Sequence, residues 1–503
     1  MSSTTVELIV LLSLVGPYAL FVRAFGFSHA AALALGCSAA VGSLQLWTSL
    51  LLFAGMSTVS GLTLGLTVIT GVCLCVLGRG GDPNATIADA RQVGSALVAL
   101  AIVLVTFAKL LNLPRVTPDS IVHLAHVRAL RRGDRSVLNS VDLFERGIGT
   151  SSLHALGDLF DADLFMSAAI ALSCATTTLC FCLIREVQRR LGVADRHGIA
   201  VALGSTGLLV FSDRFIFVSL LINHHSLVAL SYLSITFILV TMHGPTSLRK
   251  LTTRLAGVTL ALVSFSSLAA RRESVLIICF IAALASCSGL ADTRSRMSLG
   301  PTWLLSLTGM AAIWCAVVIK AQQVDLPQAL ALPALPITVL LVVFAVNNCS
   351  PSIKSLRPVF LALMAFLSFV LLATSLFDNT RDLRLLSSSI GAVADNVLFS
   401  GGWRFEWGVV GAALVASLPG RDETVDFVRY TVVGIVLIHL GLPMVTGGAY
   451  RIGPGDSFNR MLTHVLPLAV VYVGATLSIG GSGTLGPTKQ SEFEGNHHLS
   501  GSN

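Results

Sequence analysis

An all-α, polytopic transmembrane helical bundle is the fold class that this sequence predicts, and three observations support it. Of the 503 residues, 54% are hydrophobic and only 12% are charged, with a mean hydropathy of +0.81. A soluble globule of this size needs more polar surface than that. The apolar residues form runs of about 20 residues, which is the length of a membrane-spanning helix and not the short alternation of a β-barrel. Arginine-bearing turns separate these runs.

We predict about 13–15 membrane spans, joined by short turns and by one long external loop, 113–163, that carries amphipathic juxtamembrane helices. The first apolar run has no basic region before it, which favours a retained anchor over a cleaved signal peptide. The Gly/Ser-rich residues 480–503 are typical of a disordered tail. In chain order, the apolar segments are 6–24, 29–49, 56–77, 93–112, 164–183, 198–212, 217–241, 255–270, 274–290, 302–319, 328–346, 358–377, 402–418, 428–447 and 461–479.

Positive charge indicates how the chain lies in the membrane. The turns after every second segment from the fifth onwards are basic, which makes them cytoplasmic by the positive-inside rule. Because successive spans cross the membrane in alternate directions, we expect four other breaks to lie together on the opposite, external face. These breaks are 113–163, 271–273, 378–401 and 450–460. The net charge of +7 is explained by orientation and anionic head groups and predicts no nucleic-acid partner. The basic residues of the cytoplasmic turns are Arg185, Arg189, Arg190, Arg196, Arg249, Lys250, Arg254, Arg294, Arg296, Lys354, Arg357, Arg421 and Arg429.

Two common kinds of site find no support in the sequence. The ten cysteines lie in or beside apolar segments, where free cysteine behaves as a small hydrophobic residue. Cys180 and Cys182 have the wrong spacing for a zinc or redox site. The glycines at Gly453 and Gly455 flank a proline and predict a turn, so we find no glycine-rich cradle for a nucleotide.

The long external loop opens with a segment that has the period of an amphipathic helix. Pro118 favours a helix start, and at 3.6 residues per turn Asp119, His123 and His126 share one stripe of the helix 119–132. We expect this stripe to point towards the bundle. The opposite face, turned towards head groups or water, carries Arg128, Arg131 and Arg132.

Asp119 is the predicted catalytic residue of this helix. A carboxylate in this place suits a general base that takes a proton from an acceptor hydroxyl. His123 and His126 are candidate substrate-binding residues, because a histidine one turn on could orient the base or contact a phosphate; we add Arg128 to the same group. In the alternative interpretation Asp119 only caps the helix and the histidines lie in the membrane interface.

A divalent cation, Mg²⁺ or Mn²⁺, is a second open alternative. The spacing of Asp119, His123 and His126 resembles a set of metal ligands, and Asp161 and Asp163 lie at the far end of the same loop. Such a cation could bridge phosphate oxygens. The spacing alone assigns no metal ligand and no other cofactor.

Two further polar segments at the predicted external face carry candidate substrate-binding residues. Arg271, Arg272 and Glu273 join two apolar segments with almost no turn, which leaves guanidinium groups near membrane depth. Bidentate pairing with phosphate is a natural use of arginine there, and snorkelling to lipid head groups is the alternative. At the start of the last span, the residues that could hold a lipid phosphate or simply anchor the helix are Arg451, Arg460 and His464.

The other histidines are expected to have structural roles. We interpret His224 and His225, which follow Asn223 in an apolar segment, as a hydrogen-bonded pair that faces the bundle. His154 could contact substrate, but no pattern specifies it.

Three short motifs resemble those of one family. The loop opening, Pro-Asp-Ser-x2-His-x4-Arg-Ala-Leu-x2-Gly-Asp from Pro118, resembles the first external loop of the GT-C superfamily of polytopic glycosyltransferases, with Asp119 at the acidic position. The segment 269–276, Ala-Ala-Arg-Arg-Glu-Ser-Val-Leu, looks like an external turn of those enzymes. The segment 459–468, which begins Asn-Arg-Met-Leu, is similar to the start of one of their late spans.

The resemblance implies an inverting glycosyltransferase. The donor would be a sugar on a polyprenyl phosphate, and the acceptor a cell-envelope glycan, lipid or protein. The site would face the periplasm or exterior of a bacterial inner membrane, among membrane lipids and without nucleic acid. Asp119 would be the base, and the contacts to the donor phosphate would be Arg271, Arg272, Arg451 and Arg460.

The same resemblance suggests how the chain is organised. We expect extra amino-terminal transmembrane helices in 1–91, a GT-C-like catalytic module in 92–300, carboxy-terminal transmembrane helices in 301–479 and the tail in 480–503. Two other functions stay open. One is a flippase or transporter of lipid-linked oligosaccharides, and the other is an oligosaccharide polymerase or ligase.

Overall fold

The computed structural model describes most of the apolar segments of the chain. Statements about the structure refer to the described residues, which are 3–56, 59–78, 118–132, 147–160, 164–193, 196–219, 221, 223–242, 250–287, 293–321, 326–347, 383–417, 422–442, 450–452 and 457–482.

The described residues form α-helices joined by short connections, with no β-strand among them. Two short helical turns of other types occur, a 3-10 turn at Leu156–Phe160 and a π-helical turn at Asn396–Ser400. The α-helices are α1 (Ser3–Arg23), α2 (His29–Ala54), α3 (Val59–Gly78), α4 (Pro118–Arg132), α5 (Ser151–Ala155), α6 (Phe165–Arg190), α7 (Arg196–Phe211), α8 (Asp213–Ser219), α9 (His225–Thr241), α10 (Lys250–Leu268), α11 (Ser274–Cys287), α12 (Thr293–Lys320), α13 (Leu326–Asn347), α14 (Leu383–Asp395), α15 (Glu406–Ala416), α16 (Glu423–Gly441) and α17 (Ser457–Ser482).

The predicted all-α bundle is confirmed, and nearly every predicted segment coincides with a helix. The segments 93–112 and 358–377 lie outside the described residues. The segment 217–241 is wrong as a single span, because the chain leaves α8 at Ser219 and begins α9 only at His225. The non-helical backbone between them lies at the candidate site.

The protein is an integral membrane protein. Among the described residues, five helices are long and apolar enough to cross a bilayer alone, namely His29–Ala54, Ser167–Arg190, Leu299–Lys320, Glu423–Gly441 and Ser457–Gly480. A sixth crossing results if α7 and α8, which meet at a bend of 60°, act as one span. Shorter apolar stretches of 10–17 described residues lie in seven other helices, α1, α3, α9, α10, α11, α13 and α15. The predicted count of 13–15 spans is reached only if these shorter helices cross as well.

One apolar core extends through the whole bundle. Helix α2 is buried along most of its length and packs against α1, α6, α10 and α12, so the amino-terminal helices share this core. Gly42 allows α2 to approach α10 closely, since a Cβ atom at this position would collide with the carbonyl group of Leu262. The predicted boundary between 300 and 301 falls inside α12.

The four breaks that were predicted to share one face converge at one end of the bundle. The amide of Ile148, in the first break, donates to the carbonyl oxygen of Ala269 beside the second (2.9 Å). The Nδ2 atom of Asn396, in the third, donates to the carbonyl oxygen of Arg451 in the fourth (2.8 Å). The hydrogen bond between His225 and His464 links the first pair of breaks to the second pair. We call this end of the bundle the polar mouth.

The basic turns lie at the opposite end. Helices α6 and α9 both start near the polar mouth, and at their far ends Arg190 Nη2 donates to the carbonyl oxygen of Thr241 (3.4 Å). Arg429, near the start of α16, donates to the carbonyl oxygen of Ser417 (2.7 Å). At these two places the basic turns lie away from the polar breaks, as predicted. The side chains of the basic residues at 249, 250, 294, 296, 354, 357 and 421 lie outside the described residues.

Candidate functional site

Helix α4 is amphipathic as predicted. His123 and His126 are 5% and 0% exposed and lie on its buried face, together with Val127 and Leu130. Arg128 is exposed on the opposite face, so the structure does not place it among the other site residues and its assignment to substrate binding is not supported. Asp119 occupies the first turn of α4, and its side chain lies outside the described part of the structure.

A tight loop docks α5 onto the centre of the polar mouth. Gly147 and Gly149 have φ angles of +61° and +24°, values that side chains with a Cβ atom rarely adopt. This backbone lets the amides of Ile148 and Gly149 share the carbonyl oxygen of Ala269, at 2.9 and 3.1 Å. Ser151 Oγ then donates to the carbonyl oxygen of His123 at 3.3 Å, which ties the loop to α4.

The break between α8 and α9 is held by this loop. Thr150 Oγ1 donates to the carbonyl oxygen of Asn223 (3.1 Å), and Asn223 Oδ1 accepts the amide of His225 (3.0 Å). Non-helical backbone within a membrane protein needs such partners because lipid provides none. The amide of Thr150 also donates to Nδ1 of His224 (3.0 Å), so Nδ1 bears a lone pair and the ring proton of neutral His224 is on Nε2.

We expect Gly149→Ala to destabilise the docked loop. The new Cβ would collide with the ring of His224, and a non-glycine residue in this backbone conformation costs about 1–3 kcal/mol. Thermal unfolding of the purified protein measures the loss. Gly309→Ala in α12 is the matched control, because no atom lies within 4 Å of the added Cβ and alanine is the better helix former. A variant at Gly149 as stable as the control would contradict the loop geometry.

A second group of histidines lies beside this loop, deep in the bundle. Nδ1 of His225 and Nε2 of His464 are hydrogen-bonded at 2.7 Å, and their rings stack with centroids 4.9 Å apart. The ring of His439, on α16, lies 5.8 Å from that of His464. All three side chains are buried. We call His225, His439 and His464 the imidazole cluster.

The turn from Arg271 to Glu273 lies near the imidazole cluster. The hydroxyl of Tyr232 donates to Ser274 at the end of the turn (3.0 Å), and the ring of Tyr232 lies 6.2 Å from that of His464. Arg271 Nε donates to Glu273 Oε1, and the two side chains are 28% and 11% exposed. Burial raises the pKa of Glu273, but Arg271 and Arg272 outweigh it, so that the pKa lies below its ordinary value. Arg271 also acts electrostatically on the imidazoles of His225, His439 and His464.

The last span brings its own arginine to the same place. Arg460 is half-buried at the start of α17 and acts electrostatically on His464, one turn further on. Arg451 is exposed at the rim, where its backbone is fixed by Asn396. The structure thus brings together most of the predicted substrate-binding residues, which are His123, His126, Arg271, Arg272, Glu273, Arg460 and His464.

His154 belongs to the scaffold around the site. Its ring packs on Phe165 with centroids 4.6 Å apart, and its carbonyl oxygen accepts from Arg131 at 3.4 Å. Burial lowers the pKa of His154 to about 3, against an opposing hydrogen bond with the backbone of Leu164. A neutral, enclosed imidazole of this kind supports the docking of α5 on α4.

The described residues contain no group of three or more His, Cys, Asp or Glu side chains that could hold a metal ion. The side chains of Asp119, Asp161 and Asp163, which the metal alternative needs, lie outside the described residues. Mg²⁺ or Mn²⁺ binding stays a prediction from spacing alone.

The sequence did not predict the full extent of the histidine groups. His224 and His225 are buried and hydrogen-bonded, as expected, but to Thr150 and His464 and not to each other. His439 was missed, because a lone histidine in an apolar helix gives no sign of which way it faces. Its only signal is the cost of placing an imidazole in such a segment.

Comparisons with known proteins identify no relative of this chain. No protein-family model, curated protein or solved structure matches this chain.

Proposed function

We propose that this protein is a membrane glycosyltransferase that moves a sugar from a polyprenyl-phosphate-linked donor to a cell-envelope glycan, lipid or protein. The observation that carries the proposal is the turn from Arg271 to Glu273, which lies among buried imidazoles at the same end of the bundle as the start of α4. On this proposal the polar mouth faces the exterior or periplasm of a bacterial inner membrane.

Arginine at this depth supports a phosphate ligand. Arg271 already contacts the carboxylate of Glu273 through Nε, but a guanidinium group has further N–H donors, and its planar fork matches two phosphate oxygens. Arg271 is 28% exposed and Arg460 is half-buried, so both lie where a lipid phosphate at the membrane surface can reach them. A carrier lipid brings its own phosphate, and the reaction needs no nucleotide-binding domain.

The proposed reaction is a displacement with inversion. Asp119 takes the proton of the acceptor hydroxyl, and the acceptor oxygen forms a bond to the anomeric carbon. The bond between that carbon and the phosphate oxygen breaks, and the lipid phosphate leaves with the electron pair. Arg271 and Arg460 stabilise the charge that develops on the leaving group.

A transporter of lipid-linked sugars is the second candidate, and one observation favours it. Helices α7 and α8 meet at 60°, and the chain is broken again before α9. Broken helices beside buried polar groups are typical of transporters. Detergent micelles separate the two functions, because an enzyme transfers sugar in micelles, whereas transport needs two compartments.

A strain that lacks the protein is expected to accumulate its donor. Mass spectrometry of the lipid extract should show a polyprenyl-phosphate sugar that is scarce in the parent strain, and its mass would identify the sugar. The matched control is the same strain complemented with the wild-type chain. An unchanged profile of carrier lipids would contradict the proposal.

A further inference from the structure

His439 is a buried polar side chain on α16 whose ring lies beside that of His464. Its side chain is 0% exposed, and neither ring nitrogen has a hydrogen-bond partner among the described residues. The hydroxyl of Tyr450 donates to its backbone carbonyl group and not to its ring. Because nearly all buried polar atoms in proteins have a partner, this imidazole calls for one that the described chain does not provide.

His464 presents the same situation beside it. Its Nε2 atom is bonded to His225, while Nδ1 has no partner among the described residues. The rings of His439 and His464 are 5.8 Å apart, so their nitrogen atoms can contact one ligand of a few atoms. Two neighbouring imidazoles in the interior therefore have hydrogen-bonding capacity to spare.

The surrounding charges favour an anionic ligand. On His439 the carboxylate of Glu273 acts more strongly than Arg271, but this carboxylate is already bonded to Arg271. On His464 the charged side chains that act are Arg271 and Arg460. A cation would be repelled by the arginines, and the imidazole cluster is not a group that could hold a metal. A neutral imidazole has one N–H donor, which suits an anionic oxygen.

A proton pathway along the histidines is the competing explanation, and the geometry is against it. His123 on α4 and His224, which precedes His225 of the imidazole cluster, have ring centroids 4.0 Å apart. A histidine passes a proton on by using both ring nitrogens. Nδ1 of His224 is occupied by the backbone amide of Thr150, so the chain of imidazoles is interrupted there.

We infer that His439, with His464 and Arg271, forms a subsite for the phosphate group of a lipid-linked substrate. This inference rests on the proposed function and adds His439 to the substrate-binding residues. The shared chemistry is an anionic phosphate group, which could reach the subsite as a lipid head group or as free phosphate or pyrophosphate.

The test is a binding titration of the full chain in phosphatidylcholine nanodiscs, followed by native mass spectrometry. The probe is a polyprenyl monophosphate, and inorganic phosphate and pyrophosphate are the competitors. Loss of a hydrogen bond to a charged group should weaken binding about tenfold or more in His439→Phe and His464→Phe. His439→Gln keeps a donor and an acceptor and should retain more of the affinity.

His154→Phe is the matched control, because His154 is a buried histidine at the same end that packs on Phe165 outside the imidazole cluster. Its affinity should stay within about twofold of wild type. Competition by pyrophosphate would show that the head group alone is recognised, and its failure would show that the prenyl chain is also needed. Either outcome supports the subsite if His439→Phe binds weakly.

Equal affinity of wild type, His439→Phe and His464→Phe, with all proteins monodisperse, would overturn the subsite. Sugar-transfer assays separate this failure from failure of the proposed function. If wild type transfers sugar and His439→Phe both binds the lipid and transfers sugar normally, the subsite is wrong and the proposed function is unaffected. If the phosphate lipid binds through His439 but wild type transfers no sugar, the subsite is supported and the proposed glycosyltransferase function is wrong.

Discussion

Asp119→Asn is expected to lower the rate of sugar transfer by about 10²–10⁴-fold, the usual contribution of a general base. The amide has nearly the shape of the carboxylate but cannot take the acceptor proton. Asp119 lies in the first turn of α4, one turn before His123, and asparagine has nearly the same volume and is equally accepted at a helix start, so the substitution should leave folding unchanged. The expected loss is therefore chemical and not structural.

Transfer of a labelled sugar from a polyprenyl phosphate in detergent measures this effect. Glu186→Gln is the matched control, since Glu186 is a carboxylate at the opposite end of the bundle, bonded to Arg189 and Arg190. The control should keep its transfer rate. Undiminished transfer by Asp119→Asn would remove Asp119 from the mechanism. Absence of transfer by the wild-type protein in detergent would favour the transporter.

Glu273→Gln is expected to destabilise the protein by about 3–5 kcal/mol, the usual cost of removing one partner from a buried ion pair. Glu273 is 11% exposed and is bonded to Arg271. Without the carboxylate, the charge of Arg271 lies uncompensated beside His225, His439 and His464. Unfolding in detergent, followed by circular dichroism, measures the change in free energy.

An exposed ion pair at the same mouth provides the control for this prediction. Arg404 is bonded to Asp213, and the two side chains are 62% and 59% exposed. Water screens such a pair, so Arg404→Ala should change the stability by no more than about 1 kcal/mol. Similar small losses in both variants would contradict the burial of the turn at Glu273.

The pH dependence of the Glu273 variant follows from the lowered pKa. Burial raises this pKa, but Arg271 and Arg272 outweigh it and keep it below the ordinary carboxyl value. The stabilisation is thus present above the ordinary pKa and is lost as the pH falls through the lowered folded value. The stability difference between wild type and Glu273→Gln should be constant near neutral pH and shrink only in acid. A difference that disappears near neutral pH would contradict the lowered pKa.

The helices could be predicted well because apolar length and turn residues determine them locally. The exception is the segment 217–241, where the apolar pattern is continuous but the helix is broken. The break is stabilised by hydrogen bonds from Thr150, which is remote in sequence and close only in the fold. A pattern within one segment contains no information about such a partner.

The candidate site could be predicted only in part, because some of its residues meet through contacts between segments that are remote in sequence. His123 and His126 follow from the period of α4, and the turn from Arg271 to Glu273 follows from charge placed between two spans. His439 could not be predicted, because packing alone decides which face of α16 lies against α17. The period of α4 placed Arg128 on the face turned away from the bundle, and the structure leaves it exposed there, so its role in substrate binding stays a prediction.

The most direct test of the account is a cryo-electron microscopy map of the full chain in a nanodisc with a polyprenyl phosphate. We expect the lipid phosphate between Arg271, His439 and His464, with the carboxylate of Asp119 on the side of α4 that carries His123 and His126. A phosphate bound at the basic end near Arg190, or a carboxylate of Asp119 turned towards lipid, would contradict it.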